Sequence, residues 1–304
     1  MRSMGYALVD PELRRAARVL PKGYALQHGL SVPRALMKLA ARAGRIPSVA
    51  VEHVNPYVTV RVHRPASVSD AAPAMLWIHG GGTVMGSASQ EDRFCRKLVN
   101  FTDVAVVAVD HRLAPENPYP TPVEDCNEAL RWLIRQPWVD PSRVAVGGAS
   151  AGGGLAAAVA QLAHDRGEIP LALQMLVYPM LDDRTGPDSG HRNRVMWSPR
   201  DNELAWEWYL GGADRNAAVP ARRVDVSGLA PAWIGVGTLD LFHDECRTYA
   251  GRLRQEGIPV HEEIAPGAFH AFDLIAPNAS VSQRFFASQC RALRAALIGD
   301  DAHV

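Results

Sequence analysis

Apolar positions follow two regimes along the chain. Between residues 49 and 64 they alternate with polar ones, in Val49-Ala50-Val51-Glu52-His53-Val54 and again in Val58-Thr59-Val60-Arg61-Val62-His63-Arg64. This is the period of half-buried strands, and Asn55-Pro56-Tyr57 between them is a connection of hairpin length. Farther on the apolar stretches are unbroken, at residues 74–78, 104–109, 144–146, 171–177 and 232–236. Runs without alternation suit strands covered on both faces, as in a parallel sheet. Residues 89–101, 122–136, 151–166, 243–256 and 281–297 carry helical spacing between or after them, and Pro259-Val260-His261-Glu262-Glu263-Ile264 reads as a last strand. Alternating strands and helices of this kind predict a three-layer α/β sheet.

Two stretches stand outside the alternation. Residues 5–46 read as amphipathic helices, one over residues 11–20 with Asp10 as N-cap and Pro11 at its first position, another over residues 32–40. Neither carries a recognisable catalytic group. Residues 182–225 interrupt the α/β pattern with a polar segment and then an aromatic cluster, Trp197, Trp206, Trp208 and Tyr209. The expected organisation is a cap made of residues 1–46 and about 182–225, set on a core spanning 47–304. The aromatic residues either line a pocket beneath that cap or staple the insertion to the core.

Composition narrows the function. The 304 residues suffice for one large domain with an accessory piece, and the chain is 47% hydrophobic and 21% charged, as ordinary globular proteins are. Lys+Arg and Asp+Glu balance at 32 each, so no basic field is present to hold nucleic acid. No apolar run is long enough for a membrane span or shaped like a secretion signal, so the expectation is a cytoplasmic protein that does not engage membranes. Cys95, Cys126, Cys246 and Cys290 are scattered and read as buried thiols. Without an H-E-x-x-H motif or a Cys/His cluster, no metal or other cofactor is expected.

The stretch that organises the chain is Val144-Ala145-Val146-Gly147-Gly148-Ala149-Ser150-Ala151-Gly152-Gly153-Gly154. An apolar strand runs into G-x-S-x-G and a small-residue helix follows at once, the spacing and context of a nucleophile elbow with Ser150 at its tip. A competing G-x-G-x-x-A match begins at Gly152, inside the helix pattern rather than at the strand end where a dinucleotide site needs it. A serine hydroxyl needs a base. His270 follows the last strand on a loop, flanked by Phe269 and Phe272, which would exclude water; His164 falls in a helix, His261 in a strand and His191 in the insertion. The third member should follow the penultimate strand. Asp240 comes first after it, with Asp244 as the alternative; the competing reading of Asp240 is a plain N-cap for a helix starting near Phe242. His79-Gly80-Gly81-Gly82 follows a buried strand and offers backbone N–H groups to an oxyanion, as does Ala151 just after the serine.

With His79-Gly80-Gly81-Gly82, Asp110-His111-Arg112-Leu113-Ala114-Pro115-Glu116, Gly148 to Gly152, Tyr178-Pro179, Asp240 to Glu245 and His270-Ala271-Phe272, the chain resembles the hormone-sensitive-lipase-like, or bacterial type IV, branch of the α/β-hydrolase esterases. The resemblance implies an eight-stranded, mostly parallel sheet with one antiparallel strand and a helical cap. It implies Ser150, Asp240 and His270 as a catalytic triad, and Gly81, Gly82 and Ala151 as oxyanion donors. It implies hydrolysis of small-molecule carboxylic esters, and relatives often dimerise through the last strand, here residues 259–264. Two positions depart from the family: Ala149 replaces the usual Asp or Thr, and His111 the usual Tyr. They bear on substrate preference and on hydrogen bonding in the elbow. Some hydrolase-fold proteins are small-molecule receptors that have lost the catalytic histidine; His270 argues against that alternative. Trp197, Trp206 and Trp208 are bulky enough to shorten a pocket, so short-to-medium acyl esters are the expected substrates.

Overall fold

Unbroken apolar runs become strands wherever helices cover both faces. A computed structural model describes residues 7–66, 71–186 and 195–299. Its strands are β1 (Ala50–His53), β2 (Thr59–His63), β3 (Ala72–Ile78), β4 (Ala105–Asp110), β5 (Val139–Ala149), β6 (Leu173–Val177), β7 (Ala232–Gly237) and β8 (Val260–Ala265). They form one sheet in the order β1-β2-β4-β3-β5-β6-β7-β8. β2 runs antiparallel to both its neighbours and the remaining pairs are parallel. Every residue of β3, β6 and β7 is buried. The alternating segments part company with the expectation at β1. β2 is half-buried, but every residue of β1 is exposed, because β1 lies at the sheet edge and pairs with β2 alone.

The helices are α1 (Arg14–Val19), α2 (Ser31–Gly44), α3 (Asp92–Thr102), α4 (Thr121–Ile134), α5 (Ala151–Arg166), α6 (Pro199–Leu210), α7 (Arg215–Ala218), α8 (His243–Gln255), α9 (Phe272–Ile275) and α10 (Ser280–Leu297). Their buried faces follow the helical period, as Cys95, Leu98, Val99 and Thr102 do on α3. Among the described residues no helix is long and apolar enough to cross a membrane. All four cysteines are buried free thiols. One buried ion pair joins sheet to helix: Arg61 of β2 grips Asp92 at 2.7 and 2.5 Å, and Asp92 also accepts the Ile46 N–H at 2.7 Å.

The N-terminal helices begin as their sequence directs. The Asp10 carboxylate accepts the Glu12 N–H at 2.9 Å, with Pro11 opening the first turn. From there the chain packs on the segment that follows β6. Asp201 of α6, wholly buried, accepts the N–H groups of Tyr24 (2.8 Å) and Leu26 (2.9 Å) and the Ser198 hydroxyl (2.6 Å). The Tyr24 ring lies 6.0 Å from that of Trp197, and the Met196 N–H donates to Pro21 O at 2.9 Å. α2 is tied to the body by Arg34, which forms a bidentate pair with Glu116 (2.6 and 2.7 Å) and donates to Val84 O and Ala114 O, both at 2.8 Å. The guanidinium holds the Glu116 carboxyl down at about 2. His191 and the neighbouring part of the insertion lie outside the described residues.

Asp201→Ala tests how the N-terminal segment is held. Each backbone donor left buried without a partner costs about 1–3 kcal/mol. The expected outcome is faster hydrogen exchange across residues 21–30 while the β-sheet stays protected, with a matching loss in denaturant stability. Unchanged exchange there would mean that side-chain packing alone anchors the segment.

Candidate active site

The elbow is held in a conformation that only its surroundings make affordable. Ser150 is the N-cap of α5 with φ 57° and ψ −122°, a region that costs a non-glycine residue about 1–3 kcal/mol. The end of β6 holds it there: the Ser150 N–H donates to Val177 O at 2.9 Å, and Ser150 O accepts from Met180 N and Gly154 N, both at 3.0 Å. The glycines are there for closeness. A β-carbon on Gly148 would stand 2.3 Å from Gly152 O, one on Gly152 would stand 2.1 Å from Ile78 O, and one on Gly154 would stand 2.0 Å from Met180 O. The G-x-G-x-x-A match is thereby accounted for by close packing of α5 on the end of β3 and on the backbone at Met180.

Three elements converge on the serine. His270, on the loop after β8, places Nε2 2.9 Å from Ser150 Oγ, and its Nδ1 lies 2.9 Å from Asp240 Oδ2. A carboxylate accepts only, so Nδ1 carries the proton and Nε2 accepts the serine hydroxyl. Asp240 does two jobs with two oxygens, since its Oδ1 accepts the Phe242 N–H at 3.0 Å and so starts the turn into α8. The other acids in this stretch go elsewhere. Asp244 lies against His243 Nδ1 at 2.8 Å with its side chain 73% exposed. Glu245 is buried, accepts the Leu181 N–H at 2.6 Å and the Thr185 hydroxyl, and burial raises its carboxyl pKa well above the usual range.

The rings that enclose the imidazole are not the ones adjacent to it in sequence. Phe269 and Phe272, expected to exclude water from His270, are wholly buried, and Phe272 packs on Phe285 of α10, 5.0 Å between centroids. The rings facing His270 are Tyr178, at 4.9 Å, and Phe242, at 5.2 Å, both edge-on. Tyr178 sits at the end of β6 and Phe242 two residues past Asp240. Tyr178 stands in the Tyr178-Pro179 pair that carries part of the family resemblance and Phe242 close behind Asp240, but neither spacing places the ring against His270.

The loop after β3 passes beside the serine. A β-carbon on Gly80 would lie 2.9 Å from Ala149 O and 3.3 Å from Ser150 Cβ. Gly81 (φ 119°) and Gly82 (φ 63°) then take left-handed conformations, and Gly81 O accepts the N–H groups of Val84 and Met85 at 3.1 Å. Ala151 opens α5, so its N–H is at the positive end of the helix. A pair of histidines braces this loop from behind. His79 and His111 stack with centroids 4.4 Å apart and planes 8° from parallel. Each lies close to a backbone carbonyl through Nδ1, His79 to Gly80 O at 2.8 Å and His111 to Arg112 O at 2.9 Å, contacts in which Nδ1 must donate. Burial lowers their pKa values to about 4 and about 3, so both rings are neutral at physiological pH.

The aromatic cluster divides. Trp197 is buried, donates from Nε1 to Asn202 Oδ1 at 3.1 Å, and lies where a β-carbon on Gly82 would meet it at 2.5 Å. Trp206 and Tyr209 close a cavity of about 10 Å³ with Thr83, Ala151, Leu155 and Met180, room for about one water beside the serine turn. Trp208, two positions along α6 from Trp206, faces another way and packs half-buried on the core without lining this cavity. A larger hollow of about 340 Å³ lies under α2, bordered by Arg34, Lys38, Met85, His111 and Glu116, and does not include the serine or His270. Among the described residues no group of three or more His, Cys, Asp or Glu side chains is placed to hold a metal.

Known proteins bear on this geometry. The α/β hydrolase fold family profile matches residues 75–274. Carboxylesterase NlhH of Mycobacterium tuberculosis is 33% identical over 309 residues, covering 94% of this chain and 97% of its own. Ethyl acetate hydrolase of Pseudomonas putida is 35% identical, covering 70% of each. Among solved structures, a bacterial heroin esterase superposes with a TM-score of 0.87 at 35% identity, covering 96% of this chain and 99% of its own. Esterase LipW of Mycobacterium marinum gives a TM-score of 0.87 at 33% identity, with 97% and 98% covered.

Proposed function

The chain belongs to the hormone-sensitive-lipase-like branch of the α/β-hydrolase family and is a carboxylic-ester hydrolase, and we propose that it works through an acyl-enzyme formed on Ser150. The observation that carries this reading is the chain of contacts from Ser150 Oγ to His270 Nε2 and from His270 Nδ1 to buried Asp240, each 2.9 Å long. His270 takes the hydroxyl proton as Ser150 Oγ attacks the ester carbonyl. Asp240 keeps the imidazole in the tautomer that leaves Nε2 free to accept, and stabilises the imidazolium that forms. The N–H groups of Gly81, Gly82 and Ala151 receive the oxyanion of the tetrahedral intermediate. His270 then protonates the departing alcohol, and a water repeats the sequence to release the acid.

The cavity beside Ala151 is the acyl side of this site. A buried methylene gains about 0.8 kcal/mol where space exists. A cavity of about 10 Å³ closed by Trp206 and Tyr209 has little to offer beyond the first carbons. Within the short-to-medium range, the shortest acyl groups are favoured, and Trp206 and Tyr209 of α6 set that limit. The dimer implied by family resemblance belongs to the same proposal. β8 ends the sheet with only β7 beside it, so its outer backbone groups are available to a second copy.

Ser150→Ala should reduce turnover of p-nitrophenyl acetate by about six orders of magnitude with an unchanged circular dichroism spectrum. Asp240→Asn should lose about four orders of magnitude. Asp244→Asn should stay within a few-fold of the parent, and the reverse ranking would assign the acid to Asp244.

Trp206→Ala should move the kcat/KM optimum towards longer acyl chains, measured over a graded series of p-nitrophenyl esters. Trp208→Ala should leave the optimum in place. An optimum that ignores Trp206 would place the acyl pocket elsewhere. Sedimentation equilibrium checks the dimer: a mass twice that of the chain is expected, falling to one when charged residues replace Val260 and Ile264 on β8.

A further inference from the structure

Both imidazole nitrogens of His270 are occupied by Ser150 and Asp240, and the ring has a further contact, edge-on with Tyr178, whose hydroxyl leads on to a carboxylate. The tyrosine backbone is held at φ 34°, outside the ordinary regions, with its N–H on Gly235 O at 2.6 Å. Its ring meets His270 edge-on at 4.9 Å, and Phe285 stacks behind it at 6.4 Å. Its buried hydroxyl donates to Asp273 Oδ1 at 3.0 Å. Asp273 lies on α9 three residues past His270 and is itself buried.

Asp273 is costly to keep. A buried carboxylate without a cation destabilises a fold unless hydrogen bonds satisfy it. Among the described residues no Lys or Arg forms an ion pair with it. Its partners are the Tyr178 hydroxyl and the backbone N–H groups of Asp273 and Leu274, and protonated His270 also favours its ionised form. Burial pushes its pKa up to about 6, so the group is an anion at neutral pH. The other titratable groups facing the pair are Asp240, from the turn after β7, and Glu91, from the turn before α3. Burial raises the Glu91 pKa, and the Asp273 charge adds to that effect. α10 contributes the uncharged Phe285.

We propose that Asp273, acting through Tyr178, is a positioning residue for His270: it fixes the tyrosine ring against the imidazole and directs a second negative charge towards the imidazolium that forms in each half-reaction. This inference rests on the Ser150–His270–Asp240 reading. It explains why a carboxylate occupies a place that a hydrophobic side chain would fill at less cost.

Asp273→Asn is the test, because the amide keeps the shape and still accepts from the Tyr178 hydroxyl while losing the charge. With p-nitrophenyl acetate followed by pH-stat, an anion removed from the imidazolium lowers the pH at which His270 gives up its proton. The acid limb of kcat/KM should move down by about half a pH unit, with a roughly three-fold lower plateau kcat by the same conversion and KM nearly unchanged. Adding Tyr178→Phe to Asp273→Asn should cost little more, since the hydroxyl acts through the carboxylate. If Asp273→Asn does not fold, Tyr178→Phe alone carries the test. Losing the donor keeps Asp273 protonated to higher pH, so the same downward displacement is expected, with the plateau recovered in more alkaline buffer. An acid limb that stays in place overturns the proposal, even if kcat or melting temperature falls, because that pattern belongs to packing alone. Activity surviving in Ser150→Ala would instead overturn the underlying triad reading.

Discussion

Between β3, the end of β5 and the start of α5 there is no room for a β-carbon. Gly152 approaches Ile78 O so closely that an added carbon would stand at 2.1 Å, and Gly148 meets Gly152 O at 2.3 Å. Backbone can make way for backbone only by moving the whole element, so this contact fixes the helix against two strands at once. Two loops of the candidate site leave the sheet there: the serine turn from β5 and the glycine loop from β3. Their spacing is a property of main chain on main chain, less easily disturbed than one set by side-chain rotamers.

Around that contact the polar groups are sorted by burial and partner. Glu245, Asp273 and Glu91 are buried and their pKa values are raised, while Glu116, facing Arg34, is driven the other way. His79 and His111 are kept neutral by burial. A neutral, stacked pair beside the glycine loop braces it without burying a positive charge there.

Much of the sheet was legible because apolar runs and helical periods are local signals. Exposure of β1 was not, because an edge position depends on which strands pair, and the alternating pattern of Val51 and Glu52 is the same at an edge as in the middle. The serine, the histidine and the aspartate could be singled out because each lies on a loop at a strand's end, where the chain order of the fold puts its chemistry. How their surroundings meet could not be read. Tyr178 and His270 are ninety-two positions apart, and nothing in either neighbourhood points to the other. Phe269 and Phe272 stand close to His270 in sequence, yet both lie in the core. Trp206 and Trp208 look interchangeable in a list of aromatic residues, and only the helical turn between them separates a cavity wall from a packing contact.

Arg34 binds α2 to the carboxylate of Glu116 and, with the same guanidinium, to the carbonyl of Val84, two residues past Gly82. The covering helix and the glycine loop therefore share a hinge pin. A movement of α2 away from the body must either break a charged fork or drag Val84 with it. Helix and loop are geared together, and a variant that loosens α2 inherits a change in the anchoring of Val84.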